Sequence, residues 1–434
     1  MHLICSSYTA YSKKYFHQTN NYSYLCNCEL YVRPMSRRLL ILCLLMSAIY
    51  ADAQHVRLTR YRAPTALYLD AGRLFNYNLY EHARFEAGLI WVVPNEGAER
   101  EKPVLGQWRM EGYGAYGTMD RDFKYGGSVQ LRLPGRHDIR LRLRGWKDLE
   151  QAASRQLEDY RMLSPEYNNS YLASRFCGVR GLQLSSTARL GHGLEGTLAL
   201  RQSWEDYRFD NLGMRYPTLD PDEASPVTPH SEGSLRLEWH RCLTLVATLG
   251  QRSGDDPRGY MRALLQYDNS VEKHDLQIFA QAGYVTAGAP YSRMFDLSGT
   301  FPAPYFFSHT MLTVRPNRFA ADLFTHACLV YTAPMPLWDL VWTHPRPFLQ
   351  INAMWGLLHN ADNEGCSLRE GLSLQAPYMG VVEPATGFDG LLRWGMLDMG
   401  FGVAYQLVPP TAPYRNTDPL DNITVALVAK LIIA

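Results

Sequence analysis

The sequence predicts an all-β protein: a transmembrane antiparallel β-barrel of roughly 12 to 16 strands that follows a cleaved signal peptide. Three observations lead to this prediction. Apolar and polar residues alternate with a period of two along much of the chain, many of the alternating runs are long, and one N-terminal segment has the composition of a secretory signal. Helical spacing is largely absent, so we expect no helical domain.

The segment Met35–Gln54 has the three parts of a secretory signal. Two arginines come first, a short apolar run follows, and small residues lead up to Ala53. The apolar run is far shorter than the about 20 residues that a membrane-spanning helix needs. We therefore expect cleavage between Ala53 and Gln54. The predicted division is an unstructured upstream extension (1–34), the signal peptide (35–53), a short lead-in (54–73) and the barrel (74–434).

The alternation places apolar side chains on one face of each expected strand. In the run from Val129 to Leu133 the apolar residues alternate with Gln130 and Arg132. Because successive side chains of a strand point to opposite faces, such a run gives a sheet one apolar and one polar face. The same rhythm recurs in the runs 139–143, 182–190, 194–200, 235–239, 276–282 and 423–431.

Two architectures fit such strands: a soluble sandwich with the apolar face inward, and a membrane barrel with the apolar face outward. Soluble strands average about 5 to 6 residues, whereas strands that cross a bilayer need about 9 to 11. Run length favours the barrel, because several runs are long: 83–93, 124–133, 194–204, 391–407 and 423–433. We expect an even number of strands, since both ends of a bacterial barrel lie on the periplasmic side. A secreted soluble β-sandwich that binds glycans through exposed tyrosines and tryptophans is the alternative.

Loop composition points the same way. The segments 151–171, 211–233 and 408–422 are long and polar or proline-rich, whereas 134–136 and 191–193 are short. Short turns at one rim and long loops at the other are typical of membrane barrels. If the last strand ends in the periplasm, the segment 408–422 faces the outside of the cell.

The overall composition excludes several classes of fold and partner. A formal net charge of +1 and a pI near 7.6 give no long-range attraction for nucleic acid. The mean hydropathy of -0.25 and the lack of a second long apolar run exclude a bundle of membrane helices. The 28 tyrosines, against 16 phenylalanines, suit a surface that is partly apolar and partly wet, such as a membrane interface.

Four strings of the sequence carry a resemblance to a known family. They are NYNLYEHARFEAGL (76–89), GYGAYGTMDRDFKYGGSVQLRLP (112–134), DLSGTFPAPYFFSH (296–309) and NRFAADLFTH (317–326). In order and spacing they resemble a Bacteroidetes outer-membrane β-barrel family of unknown function, from about Leu74 to the C-terminus. Longer family members carry an N-terminal carboxypeptidase-regulatory-like domain, for which the predicted lead-in leaves no room.

That family brings no established active residues, so the matching positions are expected to be structural. Acidic residues beside aromatics, such as Glu81 and Asp322, are expected to pair with interior arginines and fix the strand register. The resemblance also implies that barrel-assembly machinery inserts the chain into the outer membrane of a Gram-negative cell. The most specific matches are Asn78, Glu81, Asp120, Phe123, Lys124, Tyr125, Phe319 and Asp322.

A column of arginines lies on the polar face of two neighbouring predicted strands: Arg132, Arg140, Arg142 and Arg144. If Leu141 and Leu143 meet lipid, these arginines face the lumen, because an arginine on the lipid side at mid-bilayer costs about 2 to 4 kcal/mol. Two interpretations stay open. The column is an anion-attracting wall, or it belongs to a salt-bridged interior and is neutralised by Glu86, Glu111, Asp138 or Glu150.

No residue is predicted to be catalytic, cofactor-binding or metal-binding. Strings at 112–117 and 191–196 match G-x-G-x-x-G, but no helical pattern follows either of them. The expected function is passive solute passage or a surface scaffold, with outer-membrane lipid and surface or periplasmic proteins as partners. A barrel-embedded hydrolase is the lesser alternative, and its candidate residues are His192, His240, His274, His309, Asp206, Asp275 and Ser308.

Overall fold

The computed structural model describes most of the chain from His55 onward. The described residues are 55–58, 65–70, 74–78, 81–94, 106–133, 135–151, 153–155, 176–206, 227–253, 257–269, 275–297, 299, 310–314, 319–359, 375–394, 397–415 and 422–431. The predicted upstream extension, the signal peptide and the cleavage site between Ala53 and Gln54 lie outside these ranges.

The regular structure of the described residues consists of β-strands and one short 3₁₀ turn, Tyr291–Arg293. No helix in these ranges is long and apolar enough to span a membrane. The strands are β1 (His55–Arg57), β2 (Ala66–Asp70), β3 (Phe75–Asn78), β4 (His82–Pro94), β5 (Gly106–Gly117), β6 (Phe123–Leu133), β7 (Ile139–Gln151), β8 (Phe176–Gly191), β9 (Leu194–Asp206), β10 (Thr228–Trp239), β11 (Leu243–Arg252), β12 (Arg258–Asp268), β13 (Leu276–Val285), β14 (Phe295–Asp296), β15 (Ala320–Ala321), β16 (Leu323–Thr332), β17 (Arg346–Leu357), β18 (Val381–Trp394), β19 (Leu397–Tyr405) and β20 (Ile423–Leu431).

The long strands pair with their neighbours in chain order, and every pair is antiparallel. The short strands β2 and β3 lie end to end along β4 and act as one broken strand. Strand β1 is a further short segment on β2. The main sheet of 18 segments is therefore a barrel of 16 strands, which confirms the predicted fold at the upper end of the expected strand number.

Large apolar side chains point away from the barrel interior along the long strands. Leu200 of β9, Leu249 of β11 and Val425 of β20 are 65%, 67% and 65% exposed, whereas their chain neighbours Ala199 and Thr248 are buried. A soluble sandwich would bury its apolar rows between two sheets. The observed orientation therefore contradicts the sandwich and is the one that a membrane barrel requires.

The two rims of the barrel differ in the length of their connections. At the rim where the sheet begins and ends, here called the terminal rim, the short turns include 134–138, 192–193 and 240–242. The opposite rim, here called the far rim, carries the long connections 152–175, 207–227, 286–322, 358–380 and 406–422. This is the predicted asymmetry, although the terminal rim also carries the longer connections 95–105 and 333–345.

Three expected boundaries change. The run 391–407 is not one strand, because β18 and β19 form a hairpin in which Trp394 pairs with Leu397. The sequence between them contains Gly395, a residue that tight hairpin turns favour. The predicted loop 211–233 ends earlier, since β10 pairs with β9 from Thr228 onward. The sheet also begins before Leu74, because β1 and β2 lie within the predicted lead-in.

The connection between β13 and β16 folds into the barrel. This interior segment comprises residues 286–322 and is described at 286–297, 299, 310–314 and 319–322. Its strands β14 and β15 pair with each other. Most of its described apolar side chains are buried: Ala289, Met294, Phe295, Leu297, Met311, Leu312, Val314, Phe319, Ala320 and Ala321.

Candidate functional site: the barrel interior

The interior segment contacts two widely separated strands of the wall. Its residue Arg293 contacts Glu205 on β9, and its residue Thr313 contacts Glu383 on β18. Counted around the barrel, β9 is the seventh strand and β18 the fourteenth of 16. Six strands lie between these two attachment points, so the segment bridges distant parts of the wall rather than following the two strands that it connects.

Apolar packing holds the middle and the far end of this segment. The rings of Phe295 and Phe324 have centroids 4.7 Å apart, and those of Phe319 and Tyr414 are 5.2 Å apart. Leu312 packs among alanines of three successive strands. We call this region the apolar half of the interior, and its buried members are Tyr260, Leu264, Val285, Ala289, Phe295, Leu297, Met311, Leu312, Val314, Phe319, Ala321, Phe324, Met354, Val381, Ala385, Ala404, Ala412, Tyr414 and Ala426.

Arg293 attaches the near end of the segment to the wall. Its Nη2 lies 2.5 Å from Glu205 Oε1, and its Nε donates to Glu232 Oε1 at 2.6 Å. The hydroxyl of Tyr260 also donates to Glu232, at 2.7 Å. Burial alone would lower the pKa of the Arg293 guanidinium, but the two carboxylates raise that pKa well above its ordinary value. Arg293 therefore remains a cation fixed between two wall carboxylates.

The beginning of the long connection after β7 joins the same region. The amide of Ala153 donates to the carbonyl of Ser292 at 2.9 Å, and the amide of Asp296 donates to the carbonyl of Ala153. From β12, Arg262 donates to the carbonyl of Ser154 at 2.6 Å. Residues 153–155 and the interior segment thus satisfy each other's backbone groups by hydrogen bonding inside the barrel.

Glu383 binds the other end of the segment. Its carboxylate accepts hydrogen bonds from the amides of Leu312 and Thr313 at 3.0 and 2.7 Å and from the Thr313 hydroxyl at 2.6 Å. Asn352 donates to the carbonyl of Thr310 at 2.9 Å. Glu383 was not predicted from the sequence, although an acidic residue within the largely apolar run GVVEPATG indicates a special role. A fully buried acid in a strand requires donors, and here the interior segment supplies them.

A second cluster fills the opposite part of the interior and is made of charged wall residues. Arg84 on β4 is fully buried and binds three carboxylates: Glu81 at 3.2 Å, Glu86 at 2.9 Å and Asp148 at 2.8 Å. Tyr113 donates to Asp148 at 2.6 Å. All four charged side chains of this group are buried. We call this cluster, together with Lys124 and Asp120, the charged half.

Lys124 links two of the family-matching acids in the charged half. Its Nζ lies 2.8 Å from Glu81 Oε1 and also contacts the Asp120 carboxylate. The neighbouring matches Phe123 and Tyr125 point outward and are exposed. Asn78 is the last residue of β3, and its backbone lies opposite His82 of β4 in the sheet. Three of the predicted residues, the lysine and two acids, therefore meet in one cluster.

The remaining two family-matching residues lie in or beside the interior segment. Phe319 is buried against Tyr414 in the apolar half. Asp322 is also buried, and its carboxylate accepts a hydrogen bond of 2.6 Å from the His359 amide. Asp322 thus holds the end of β17 beside the interior segment.

The arginine column lies on the inner face, with exposed Leu141 and Leu143 on the outer face. Three of its members pair with carboxylates: Arg132 with Asp138, Arg140 with Glu195, and Arg142 with Glu111 at 3.1 Å. Arg144 stacks on Trp146, 4.5 Å from the ring centroid. Of the acids expected from sequence, Glu111 and Asp138 occupy this role, whereas Glu86 and Glu150 pair with Arg84 and Arg201.

Comparisons with known proteins give similar shapes at low identity. No family model and no curated protein matches the chain. Among solved structures, BamA from Haemophilus ducreyi lacking POTRA domains 1–3 has a TM-score of 0.43 and 10% identity, over 85% of this chain and 70% of that one. CdiB from Acinetobacter baumannii has a TM-score of 0.35 and 10% identity, over 76% of this chain and 54% of that one.

A bacterial polysaccharide outer membrane secretin has a TM-score of 0.27 and 10% identity, over 77% of this chain and 87% of that one. The chain spans about half the length of CdiB. All three scores lie below 0.5. The barrel fold of this chain therefore rests on its own strand pairing and outward apolar face.

The described residues considered for catalysis do not form one site, although the turns that carry His192 and His240 are adjacent. His192 and His240 are exposed in turns of the terminal rim, and Asp275 pairs with Arg346 at 2.6 Å. Asp206 ends β9 at the far rim. The candidates His274, His309 and Ser308 lie outside the described residues. Within the described ranges, no group of three or more His, Cys, Asp or Glu side chains is arranged to hold a metal ion.

A groove of about 790 Å³ lies on the outer wall rather than in the interior. Small side chains on three neighbouring strands, such as Ala280, Ala327 and Ala353, form its floor. Exposed Leu265 and Leu407 stand at its sides. Its position on the outward apolar face makes it part of the surface that lipid would cover.

Proposed function

We propose that this protein is an integral outer-membrane β-barrel whose lumen is filled at rest by its own chain and whose far rim serves as a surface scaffold for partner proteins. The observation that carries the proposal is the interior segment, which joins widely separated strands of the wall through Arg293 and Glu383. A barrel crossed in this way is poorly suited to standing passage of solutes. Its long far-rim connections provide the surface for binding.

The membrane location is supported by the barrel's outer face. The long strands from β4 onward contain 9 to 16 residues, which is sufficient to cross a bilayer. Their outward side chains are apolar, and closure of a sheet satisfies backbone groups that lipid cannot. The outer membrane of a Gram-negative cell is the compartment that holds such barrels after export. Its lipid and its barrel-assembly machinery are therefore the expected partners during insertion.

The resemblance to the Bacteroidetes outer-membrane family is consistent with this role. The strings that carry the resemblance include Glu81 and Lys124 in the charged half, and Phe319 in the apolar half. A family that retains interior packing residues and no active residues fits a structural function. We extend the proposal to a non-catalytic role, because Asp206 ends a strand at the far rim and Asp275 pairs with Arg346, away from the adjacent turns that carry the two described histidine candidates.

Passive solute passage is the alternative function. An electrical measurement distinguishes it from a scaffold with a filled lumen. Purified protein reconstituted in planar bilayers is expected to show no standing conductance, with a general porin in the same bilayers as the positive control. A stable, ohmic open state of the unmodified protein would contradict a filled lumen. A form that stays folded and dispersed without detergent would contradict the membrane location itself.

The scaffold is tested separately, by site-specific photo-crosslinking in cells. A photo-reactive residue at Thr411, exposed on the far rim, is expected to capture partner proteins. The matched control is the same residue at His137, exposed in a short turn of the terminal rim. Capture at neither position, or at His137 alone, would contradict a scaffold at the far rim.

A further inference from the structure

The connection between β16 and β17 differs from the other described turns of the terminal rim. We call residues 333–345 the rim hairpin. Its outermost residues are strongly exposed, Val341 at 91% and Met335 at 76%. Its exposed large apolar side chains are Met335, Leu337, Trp338, Leu340, Val341 and Trp342.

The rim hairpin is a built extension of the sheet. Leu340 and Thr343 form a backbone bridge at its tip. The amide of Leu337 donates to the carbonyl of Pro345 at 2.9 Å. The amide of Arg393, at the end of β18, donates to the carbonyl of Trp342 at 2.8 Å. These hydrogen bonds hold the hairpin in line with the barrel wall, so its apolar side chains are presented from a fixed backbone.

The apolar surface of the hairpin continues the outer wall. On the two strands that lead into it, Leu329, Tyr331 and Leu349 are exposed on the outward face. The described short turns of the same rim present polar residues instead, such as Arg136 and His192. Among the described connections of the terminal rim, the rim hairpin is therefore the one that carries the wall's apolar strip past the strand ends.

The chemistry of the hairpin fits a lipid headgroup region. Tryptophan favours that region because its ring is apolar while its N–H needs a polar partner. Here the Trp338 Nε1 already donates to the Thr343 hydroxyl at 3.3 Å. Asp339 is the only Asp, Glu, Lys or Arg residue between Ala333 and Pro345. Protein interfaces carry a polar rim of hydrogen-bonding groups, and this apolar tip lacks the charges that would form one.

We propose that the rim hairpin inserts into the headgroup region of the membrane leaflet at the terminal rim and anchors this side of the barrel there. The inference rests on the proposed membrane location. It goes further by assigning one hairpin to lipid rather than to water or to a soluble protein. Burial of apolar surface away from water is favourable, so even partial insertion of six large apolar side chains favours the lipid-bound position.

Nitroxide accessibility in nanodiscs tests the proposal. Single cysteines are placed at Val341, at Leu200 on the outer wall and at Arg136 in a polar turn of the same rim, in a cysteine-free background. Each is spin-labelled, and its collision rates with oxygen and with a water-soluble nickel chelate are compared in phosphatidylcholine nanodiscs. Val341→Cys is expected to give an oxygen-to-nickel ratio several-fold above that of Arg136→Cys, approaching that of Leu200→Cys.

The three positions separate the possible failures. If Leu200→Cys is lipid-like while Val341→Cys matches Arg136→Cys, the anchoring proposal is overturned and the membrane location stands. If Leu200→Cys is itself water-like, the membrane location fails as well. Because Val341 is almost fully exposed, its substitution is not expected to disturb folding. Heat-modifiable gel migration of each labelled protein checks this.

Discussion

The two halves of the barrel interior are filled in different ways. In the apolar half, a segment of the chain enters the lumen and packs side chains such as Phe295 and Leu297 against the wall. In the charged half, the wall residues fill the space themselves, as Arg84 and Lys124 bind the surrounding carboxylates. Both clusters consist mainly of buried residues, but only one of them is built on a segment that is not itself part of the wall. The comparison indicates that the charged cluster mainly stabilises the wall, whereas the apolar cluster holds the segment that fills the lumen.

Each half should therefore fail in its own way. Removing one partner of a buried ion pair leaves a charge without compensation, whereas truncating a buried apolar side chain leaves a cavity. The first change destabilises the wall without clearing a path. The second loosens the segment that blocks the path. Stability and conductance, measured on the same variants, separate these outcomes.

The largest loss of stability is expected for Arg84→Met. Three carboxylates, Glu81, Glu86 and Asp148, lose their shared cation. The free energy of unfolding in denaturant should fall by roughly 3–5 kcal/mol. Conductance should remain absent, because the interior segment is untouched. The matched control is Arg346→Gln, which breaks a partly exposed rim pair and should cost about 0–1 kcal/mol; equal losses in the two variants would count against a buried charged half.

The next effect is expected for Leu297→Ala in the interior segment. The buried side chain leaves a cavity, and the unfolding free energy should fall by about 3 kcal/mol. This variant should also show intermittent conductance in planar bilayers, because the packing that fixes the segment is weakened. The control is Leu249→Ala, on the outer wall, which creates no interior cavity. If the Arg84→Met protein shows conductance and the Leu297→Ala protein shows none, the assignment of lumen closure to the apolar half is wrong.

A smaller effect is expected for Glu383→Gln, which keeps the shape of the side chain and removes its charge. Charge-assisted hydrogen bonds to the Leu312 and Thr313 amides become neutral ones, at a cost of about 1–2 kcal/mol. Hydrogen–deuterium exchange of these two amides should accelerate at least several-fold. Glu238→Gln, on a half-exposed pair of β10, serves as the control and should leave them unchanged. Unaltered exchange in Glu383→Gln would remove its anchoring role.

The smallest effect is expected for the double change Arg140→Gln with Glu195→Gln. This pair is partly exposed, so its joint removal should cost less than about 1 kcal/mol. In the Leu297→Ala background, the double change should leave ion selectivity as it was, while Arg140→Gln alone should shift it toward cations. A shift of the reversal potential in the double variant would restore the interpretation of the column as an anion-attracting wall.

Much of the wall could be predicted from sequence, because each strand repeats a local rule. The period of two places Leu141 outward and Arg142 inward, and the structure has them so. Only part of the charged half could be predicted from the sequence. The resemblance identified Glu81 and Lys124, but their contacts depend on Arg84 and on Asp148, which joins the cluster from a strand remote in sequence.

The interior segment could not be predicted from sequence. Long connections at one rim were expected, yet whether such a connection folds outward or inward depends on contacts with remote strands. Arg293 and Thr313 carry no periodic signal, and their partners Glu205 and Glu383 lie far away along the chain. Tertiary contacts decide this path, and local patterns do not encode them.

The most direct test of a filled lumen is a cross-link between the interior segment and the wall. Leu312 and Ala385 pack in one buried cluster, so Leu312→Cys with Ala385→Cys in a cysteine-free background should form a covalent bridge with oxidant or a short bis-thiol reagent. Leu312→Cys with Leu200→Cys, on the outer wall, is the control pair and should not. Efficient bridging of the first pair alone is the predicted result. Failure of that pair to bridge in folded, membrane-inserted protein would contradict the account.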